Sequence, residues 1–584
     1  MSEKIRRTSR IPCVTTRKDG KNAQSEEALP FSDKTGEVQK AVFTLAFSAD
    51  APEPGGKVFF EVEGGTGKIG IFADGNEIAS QSGIYSPLRL DITELSDGTE
   101  HKITVEAEKE ANGNNIYLGT ASFITTADSF FDTEKRGDGG VTVSTAVTDK
   151  AIDIIVKAHI ANPNNYDVLR CTLVAPDGTR TVKTCKPTSP TCIFSPENVL
   201  LWNGQHESPQ YSVIAEIIRD TRLLDKTEVV FGVRKACFDG GFLTLNGVKL
   251  PLNGIVLRDT AFLDDDAELF NKLDANCVKL SVFPETDAFL AECDKKGIAV
   301  WLDMTELADR DGDLLAHAVQ LFAHHPSFMF ASVSSTDEKT VTDFREIIHS
   351  NSDGVFTAGN ASFPAEESVT DAIPDVLAVN IPSDTPLERF LELDNAFSDY
   401  INEHKLWHTA VFADPPEGFF DRHSEDFLRA DCSQEFFSAW HEKFWQSFGI
   451  KKGVFGCFAG CLADEERPAG RTGLVTSDRY DKKDAFWFYK AQFSAEPFVK
   501  ICSAGMTMTD KKYIDIRCYT NAPSIDMTIN GKKKNVPAPE EISNCVYLFR
   551  HVKLKRRNNT IVVTAGNETD STVIYRSKSK LKKI

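Results

Sequence analysis

Ile298-Ala-Val-Trp-Leu302 and Phe328-Met-Phe-Ala-Ser-Val333 are short, nearly all-apolar runs, and between them Leu314, Leu315, Val319 and Phe322 recur at the spacing of one helix face. An apolar run of that length fits a strand buried on both faces, as in a parallel sheet crossed by helices. The alternation continues upstream in Ile255-Val-Leu257 and Val278-Lys-Leu-Ser-Val-Phe283. Downstream it continues in Val355-Phe-Thr-Ala358, Val376-Leu-Ala-Val-Asn380, Leu406-Trp-His-Thr-Ala-Val-Phe412 and Val454-Phe-Gly-Cys-Phe458. Helical spacings such as Leu269/Phe270/Leu273 and Phe436/Phe437/Trp440/Phe444 fall between the runs. Eight strands with intervening helices predict a (β/α)8 TIM barrel over residues 236–495.

The flanks read differently. Val42-Phe-Thr-Leu-Ala-Phe47, Lys57-Val-Phe-Phe-Glu-Val62, Gly67-Lys-Ile-Gly-Ile-Phe72 and Lys102-Ile-Thr-Val-Glu-Ala107 alternate at period two, with Asp-Gly turns between them. They predict a jelly-roll-like β-sandwich over 37–130. Ala151-Ile-Asp-Ile-Ile-Val156, Cys171-Thr-Leu-Val174 and Tyr211-Ser-Val-Ile-Ala-Glu-Ile-Ile218 predict an immunoglobulin-like β-sandwich over 131–235. β alternation returns in Tyr513–Tyr519 and Thr560–Thr564, giving a C-terminal β-sandwich over 496–584 that ends in a basic tail. Residues 1–36 are polar, basic and aperiodic, and read as a flexible tail. The expected fold class is thus multidomain, β plus α/β.

Composition narrows the partners. The 584 residues hold 66 basic and 86 acidic side chains, a net charge of −20. Phosphate-bearing surfaces require a basic face, so nucleic acid and anionic membranes are not expected as partners. No apolar run approaches the ~20 residues of a membrane span, and Met1-Ser-Glu-Lys-Ile-Arg-Arg7 is no secretory leader. A cytoplasmic location is expected. The 13 cysteines have no zinc-knuckle spacing, so they read as free thiols in a reducing compartment. No phosphate loop or metal motif stands out among the 12 histidines, and no cofactor and no metal are expected.

Specific strings in each module resemble glycoside hydrolase family 2, the group of β-galactosidases, β-glucuronidases and β-mannosidases. The segment from Gly67 to Thr93, with Gly83-Ile-Tyr-Ser-Pro87, is similar to the family's first-sandwich motif. Leu201-Trp-Asn-Gly204 and Phe231-Gly-Val-Arg234 resemble its second sandwich on entering the barrel, and Gly241–Ile255 resembles the barrel entry. His325-Pro-Ser-Phe-Met-Phe-Ala-Ser-Val333 is similar to its fourth strand, and Gly473–Ala491 to its final helix. The resemblance covers roughly residues 40–500 and implies a β-glycosidase fold.

It also implies where catalysis belongs. Retaining glycosidases need two carboxyl groups about 5–5.5 Å apart, set at the C-terminal ends of barrel strands. Counted from His325, the acid/base place falls on Ser335 and Thr336; Asp337 and Glu338 follow, but Ser334-Ser-Thr-Asp-Glu338 also reads as a capped helix start. The nucleophile place falls on Val411, with Asp414 and Glu417 nearby on a Pro-rich loop. The family's strand-2 Arg and His appear as Lys279 and Val282, its strand-8 Trp-Asn as Gly460-Cys461, and only Arg258 and Asp259 remain of the loop after strand 1. Asp303 and Glu306 follow strand 3 and read as solvated acids.

Two expectations follow. The first is a catalytically inactive relative, a pseudoenzyme with a binding, scaffold or assembly role, as a homo-oligomer or within a protein assembly. It has no catalytic residues. The second is an active β-galactosidase-like retaining glycosidase using the shifted carboxylates Asp337 or Glu338 with Asp414. Carbohydrate binding without hydrolysis is a third reading, weakened by the missing stacking Trp.

Overall fold

The computed structural model describes the chain apart from residues 1–2, 8–9, 34, 111–114, 134–138, 149–150, 259–262, 336, 363–373, 405–407, 417–432, 450, 452, 466–470, 503–506, 534–535 and 578–584. Each of the eight apolar runs coincides with a strand of one closed parallel barrel: β1 (Leu252–Val256), β2 (Cys277–Ser281), β3 (Ala299–Asp303), β4 (Phe328–Val333), β5 (Phe356–Ser362), β6 (Val376–Ile381), β7 (Thr409–Ala413) and β8 (Val454–Cys461). The helix-spaced residues lie on α1 (Leu263–Leu273), α4 (Gly312–Phe322) and α7 (Gln434–Phe448). α2 (Thr286–Lys296), α3 (Thr305–Arg310), α5 (Glu338–Asn351), α6 (Phe390–His404) and α8 (Asp484–Phe493) complete the helices.

The chain forms two compact units. One comprises Met1–Cys237, Leu245–Gly247 and Ser281–Thr357; the other comprises Phe238–Thr244, Val248–Leu280 and Ala358–Ile584.

In the first unit, two sheets form the N-terminal sandwich around Phe43, Val58, Phe60, Ile71 and Val105. The expectation of a flexible tail over 1–36 does not hold for its described residues. Ile11–Arg17 pairs with Val38–Phe47 and with Asn22–Glu27, and Glu3–Arg7 pairs with Ala121–Thr125. Ile11 and Cys13 enter the core, whereas Asn22–Glu27 is a nearly all-exposed edge strand. Such a strand buries no apolar face and so carries no alternation signal.

The second sandwich packs Ile154 and Val156 of one sheet against Leu169, Cys171, Val213 and Ala215 of the other. Its two family-like strings act as anchors within this unit. Trp202, 1% exposed, donates its indole N–H to the Asp294 carbonyl of α2 at 2.9 Å. The Arg234 guanidinium donates to the carbonyls of Pro326, Phe328 and Gly354, which fixes the segment leading into β4. Burial pulls its pKa down to about 10.

In the second unit, the C-terminal sandwich encloses Ile516, Cys518, Phe549, Ile561 and Val563. Of the C-terminal basic residues, Arg576 ends the strand Glu568–Arg576 and donates to the Leu554 carbonyl; residues 578–584 lie outside the described residues. Helices α7 and α8 meet through His441, which is wholly buried, with Nδ1 2.9 Å from the Tyr489 hydroxyl.

Burial, and then the Lys483 charge, push the His441 pKa down from 6.5 to about 3. The unfolded state therefore binds a proton that the folded state refuses, and stability falls as pH drops below the unfolded value. Between pH 7 and pH 5 this group alone removes about 2 kcal/mol. His441→Leu is expected to lose the Tyr489 hydrogen bond but to shed that share of acid sensitivity. Urea unfolding of both proteins at the two pH values checks it: the stability gap should narrow on acidification, and a constant gap would refute it.

Candidate functional site

The ends of β1, β7 and β8 in the second unit are built in rows. The Lys279 ammonium lies 4.5 Å from the centre of the Phe412 ring. β2 and β7 are not neighbours in the barrel, so this contact crosses the interior and identifies the inward face of both strands. Register carries the row onward: Phe412 is level with Phe458, and Phe458 with Gly254. The Phe412 and Phe458 rings stack at 4.2 Å, and a Cβ on Gly254 would stand 2.2 Å from the Phe458 ring. The preceding inward row is Ala410, Gly456 and Leu252. Layers contributed by several strands are how a barrel interior is filled.

Val411, the counted nucleophile place, is level with Cys457 in the alternate row. Because side chains alternate along a strand, it faces the helices, and it is fully buried there. Just beyond the strand, the Asp414 carboxylate is 3.6 Å from the Arg258 guanidinium. Arg258 also reaches Glu465 at 3.4 Å. Burial works against the Arg258 charge, but Cys461, Glu465 and Asp414 together outweigh it and raise its pKa. Asp259 and Glu417 lie outside the described residues.

Gly460 occupies the place where the resemblance puts the stacking Trp. Its φ is 86°, and a Cβ there would be 2.9 Å from the Ala413 carbonyl oxygen. A side chain at that position requires the backbone to move. The neighbouring Cys461 thiol is pushed up to about 11 by burial, so it is no thiolate near neutrality.

One pair at these strand ends is not visible in the sequence. Asp464, just past β8, accepts from Lys483 Nζ at 2.7 Å and from the Gly473 N–H at 2.8 Å. Both side chains are less than 10% exposed. Burial is the largest influence on each, raising the Asp464 pKa and lowering that of Lys483. The raised Asp464 carboxyl has its charge engaged by a buried ammonium. Nineteen positions separate the partners, and no spacing rule links them.

The first unit holds the remaining candidates. Asp337 is the N-cap of α5: its carboxylate accepts from the Thr340 N–H at 2.8 Å and the Thr340 hydroxyl at 2.7 Å. Those bonds hold its pKa below the usual carboxylate value. Glu338 is the first residue of that helix and is exposed. Thr336 lies outside the described residues. Asp303 is engaged by the N–H and hydroxyl of Thr305. Glu306, expected to be solvated, instead accepts from the Tyr85 hydroxyl at 2.6 Å and pairs with Arg310. Tyr85 belongs to the family-like string of the first sandwich, so this contact explains that string as framework. Arg258 and Asp414 are brought together; Asp337 and Glu338 belong to one compact unit and Asp414 to the other.

No protein-family model matches the sequence. The chain is 22% identical to a beta-glucuronidase of Bacteroides fragilis over 93% of its own length and 87% of that protein's. It is 24% identical to a beta-galactosidase of Thermoanaerobacter pseudethanolicus over 44% of its length and 38% of that protein's. Its fold matches the crystal structure of an FMN-binding beta-glucuronidase from Facaelibacterium prausnitzii L2-6 with a TM-score of 0.87 and 19% identity, over 100% of this chain and 99% of that one. Barrel, flanking sandwiches and near full-length similarity make this chain similar in sequence and fold to beta-glucuronidases and beta-galactosidases, the glycoside hydrolase family 2 group that its strings resemble.

Proposed function

We propose that this protein keeps the glycosidase fold without its hydrolytic pair and serves a binding, scaffold or assembly role. The observation that carries this reading is the inward row at the ends of β7 and β8, where Phe412 and Phe458 stack under Lys279. Apolar rings occupy that row, and the first carboxylate beyond it is paired with Arg258. A general acid must also hold its proton near the working pH. Asp337 is held deprotonated by Thr340, and its bonds are those of a helix cap. Function lives in the site grafted onto a fold, so the fold's persistence does not require the activity to persist.

One observation favours the alternative of an active retaining glycosidase: Asp414 is a carboxylate immediately past the C-terminal end of β7. Aryl β-glucuronide, β-galactoside and β-mannoside hydrolysis separates the two. The wild-type chain is expected to release no more phenol than Asp414→Asn or Glu338→Gln. Turnover that both substitutions abolish would establish the enzyme reading instead.

A further inference from the structure

The sequence assigns His325 to the framework and offers no metal motif. Folding nonetheless places Asp287, His324 and His325 so that one potential ligand atom from each lies within 4.8 Å of the others. Asp287 stands in the first turn of α2, and the two histidines follow α4. His325 Nε2 is 3.1 Å from Asp287 Oδ1, and the imidazoles of His324 and His325 overlap at 4.1 Å between centres. Ligands held at about 2.0–2.1 Å from a tetrahedral ion stand about 3.3 Å apart, so the His325–Asp287 edge is already near the required length.

The support behind this cluster resembles that of a metal centre. His325 Nδ1 is 2.6 Å from Asp294 Oδ2, while Asp294 Oδ1 accepts from the Ser327 N–H at 2.9 Å. Asp294 is 1% exposed and His325 5%. A buried carboxylate on Nδ1 fixes the ring and leaves Nε2 as the outward atom, the arrangement that orients metal-binding imidazoles. Asp287 and His324 are only partly buried, which leaves a route in from solvent. The two carboxylates also balance the charge of a divalent ion.

We propose that Asp287, His324 and His325 form a site for a borderline divalent transition-metal ion of the zinc or cobalt class, with Asp294 as a positioning residue. Nitrogen donors with one carboxylate oxygen suit such ions better than calcium or magnesium, which prefer all-oxygen shells. Binding replaces the proton on His325 Nε2 with a metal–nitrogen bond, and that proton leaves to solvent. No electron transfer is involved.

The test uses the full chain, stripped with a chelator and titrated with Co2+ while visible absorption is recorded, with Zn2+ added as competitor. The expected result is one saturable cobalt spectrum without sulfur-to-metal charge-transfer bands, displaced by Zn2+. His324→Ala and Asp287→Asn should each weaken binding at least about tenfold, and Asp294→Asn about 10–100-fold. Circular dichroism without metal verifies folding; the first two positions are partly exposed, so these variants separate lost ligation from lost structure. Absence of saturable uptake would overturn the proposal. So would uptake that carries thiolate bands, or uptake unchanged in both His324→Ala and Asp287→Asn.

Discussion

Asp294→Ala is expected to remove about 3–5 kcal/mol of folding stability, because it strips one partner from a buried charged cluster and leaves the others uncompensated. The carboxylate holds the His325 imidazole and the Ser327 N–H, and the same residue's carbonyl accepts from Trp202. Burial alone would lower the His325 pKa, but Asp287 and Asp294 outweigh it and lift the group from 6.5 to about 9. A raised folded pKa gives stability that is complete below the unfolded value and is lost as pH rises through the folded one. The gap between wild type and variant should therefore be largest at or below pH 6.5 and shrink as pH rises from 6.5 to 9. Chemical unfolding with chelator present, repeated across that range, checks both size and sign. A gap that widens with pH would show that His325 is neutral in the folded protein.

Asp464→Ala is the second large loss, again about 3–5 kcal/mol. Lys483 is 3% exposed, and its ammonium makes its close ion pair with Asp464. Without that carboxylate the burial that already lowers the Lys483 pKa is unopposed, and the lysine must deprotonate or reach solvent. The double substitution Asp464→Leu with Lys483→Met removes both charges together and is expected to recover most of the loss, since an apolar pair often replaces a buried ion pair at little cost. Denaturant midpoints of the two variants measure this. If Asp464→Ala unfolds like wild type, the pair is wetter than its burial indicates.

The barrel was legible because each strand is a short apolar run bounded by helix-spaced residues. The same property hid the site's orientation. β7 reads Thr409-Ala-Val-Phe-Ala413 and is buried at every position, so the sequence carries no inward-outward alternation. Counting along the motif reached Val411, whereas pairing with β8 and the Lys279 contact put Phe412 inward. The helix-cap reading of Asp337 was local, and local chemistry sufficed to find it. Edge strand Asn22–Glu27 escaped because it buries nothing. Asp287 with His325, and Asp464 with Lys483, are joined only by tertiary folding, across 38 and 19 positions. Leu201-Trp-Asn-Gly204 and Phe231-Gly-Val-Arg234 were recognisable as strings, and the structure supplies their reason: Trp202 and Arg234 cap carbonyls at α2 and around the start of β4.

The most direct test of the proposal that the nucleophile is lost is covalent trapping. A retaining glycosidase forms a glycosyl-enzyme bond to a carboxylate, and a glucuronide-configured aziridine probe makes that bond stable enough to weigh. Incubation of the full chain with excess probe, followed by intact-protein mass spectrometry, is predicted to show no added mass. A stoichiometric adduct mapped to Asp414, and lost in Asp414→Asn, would contradict the account and return this protein to the active glycosidases.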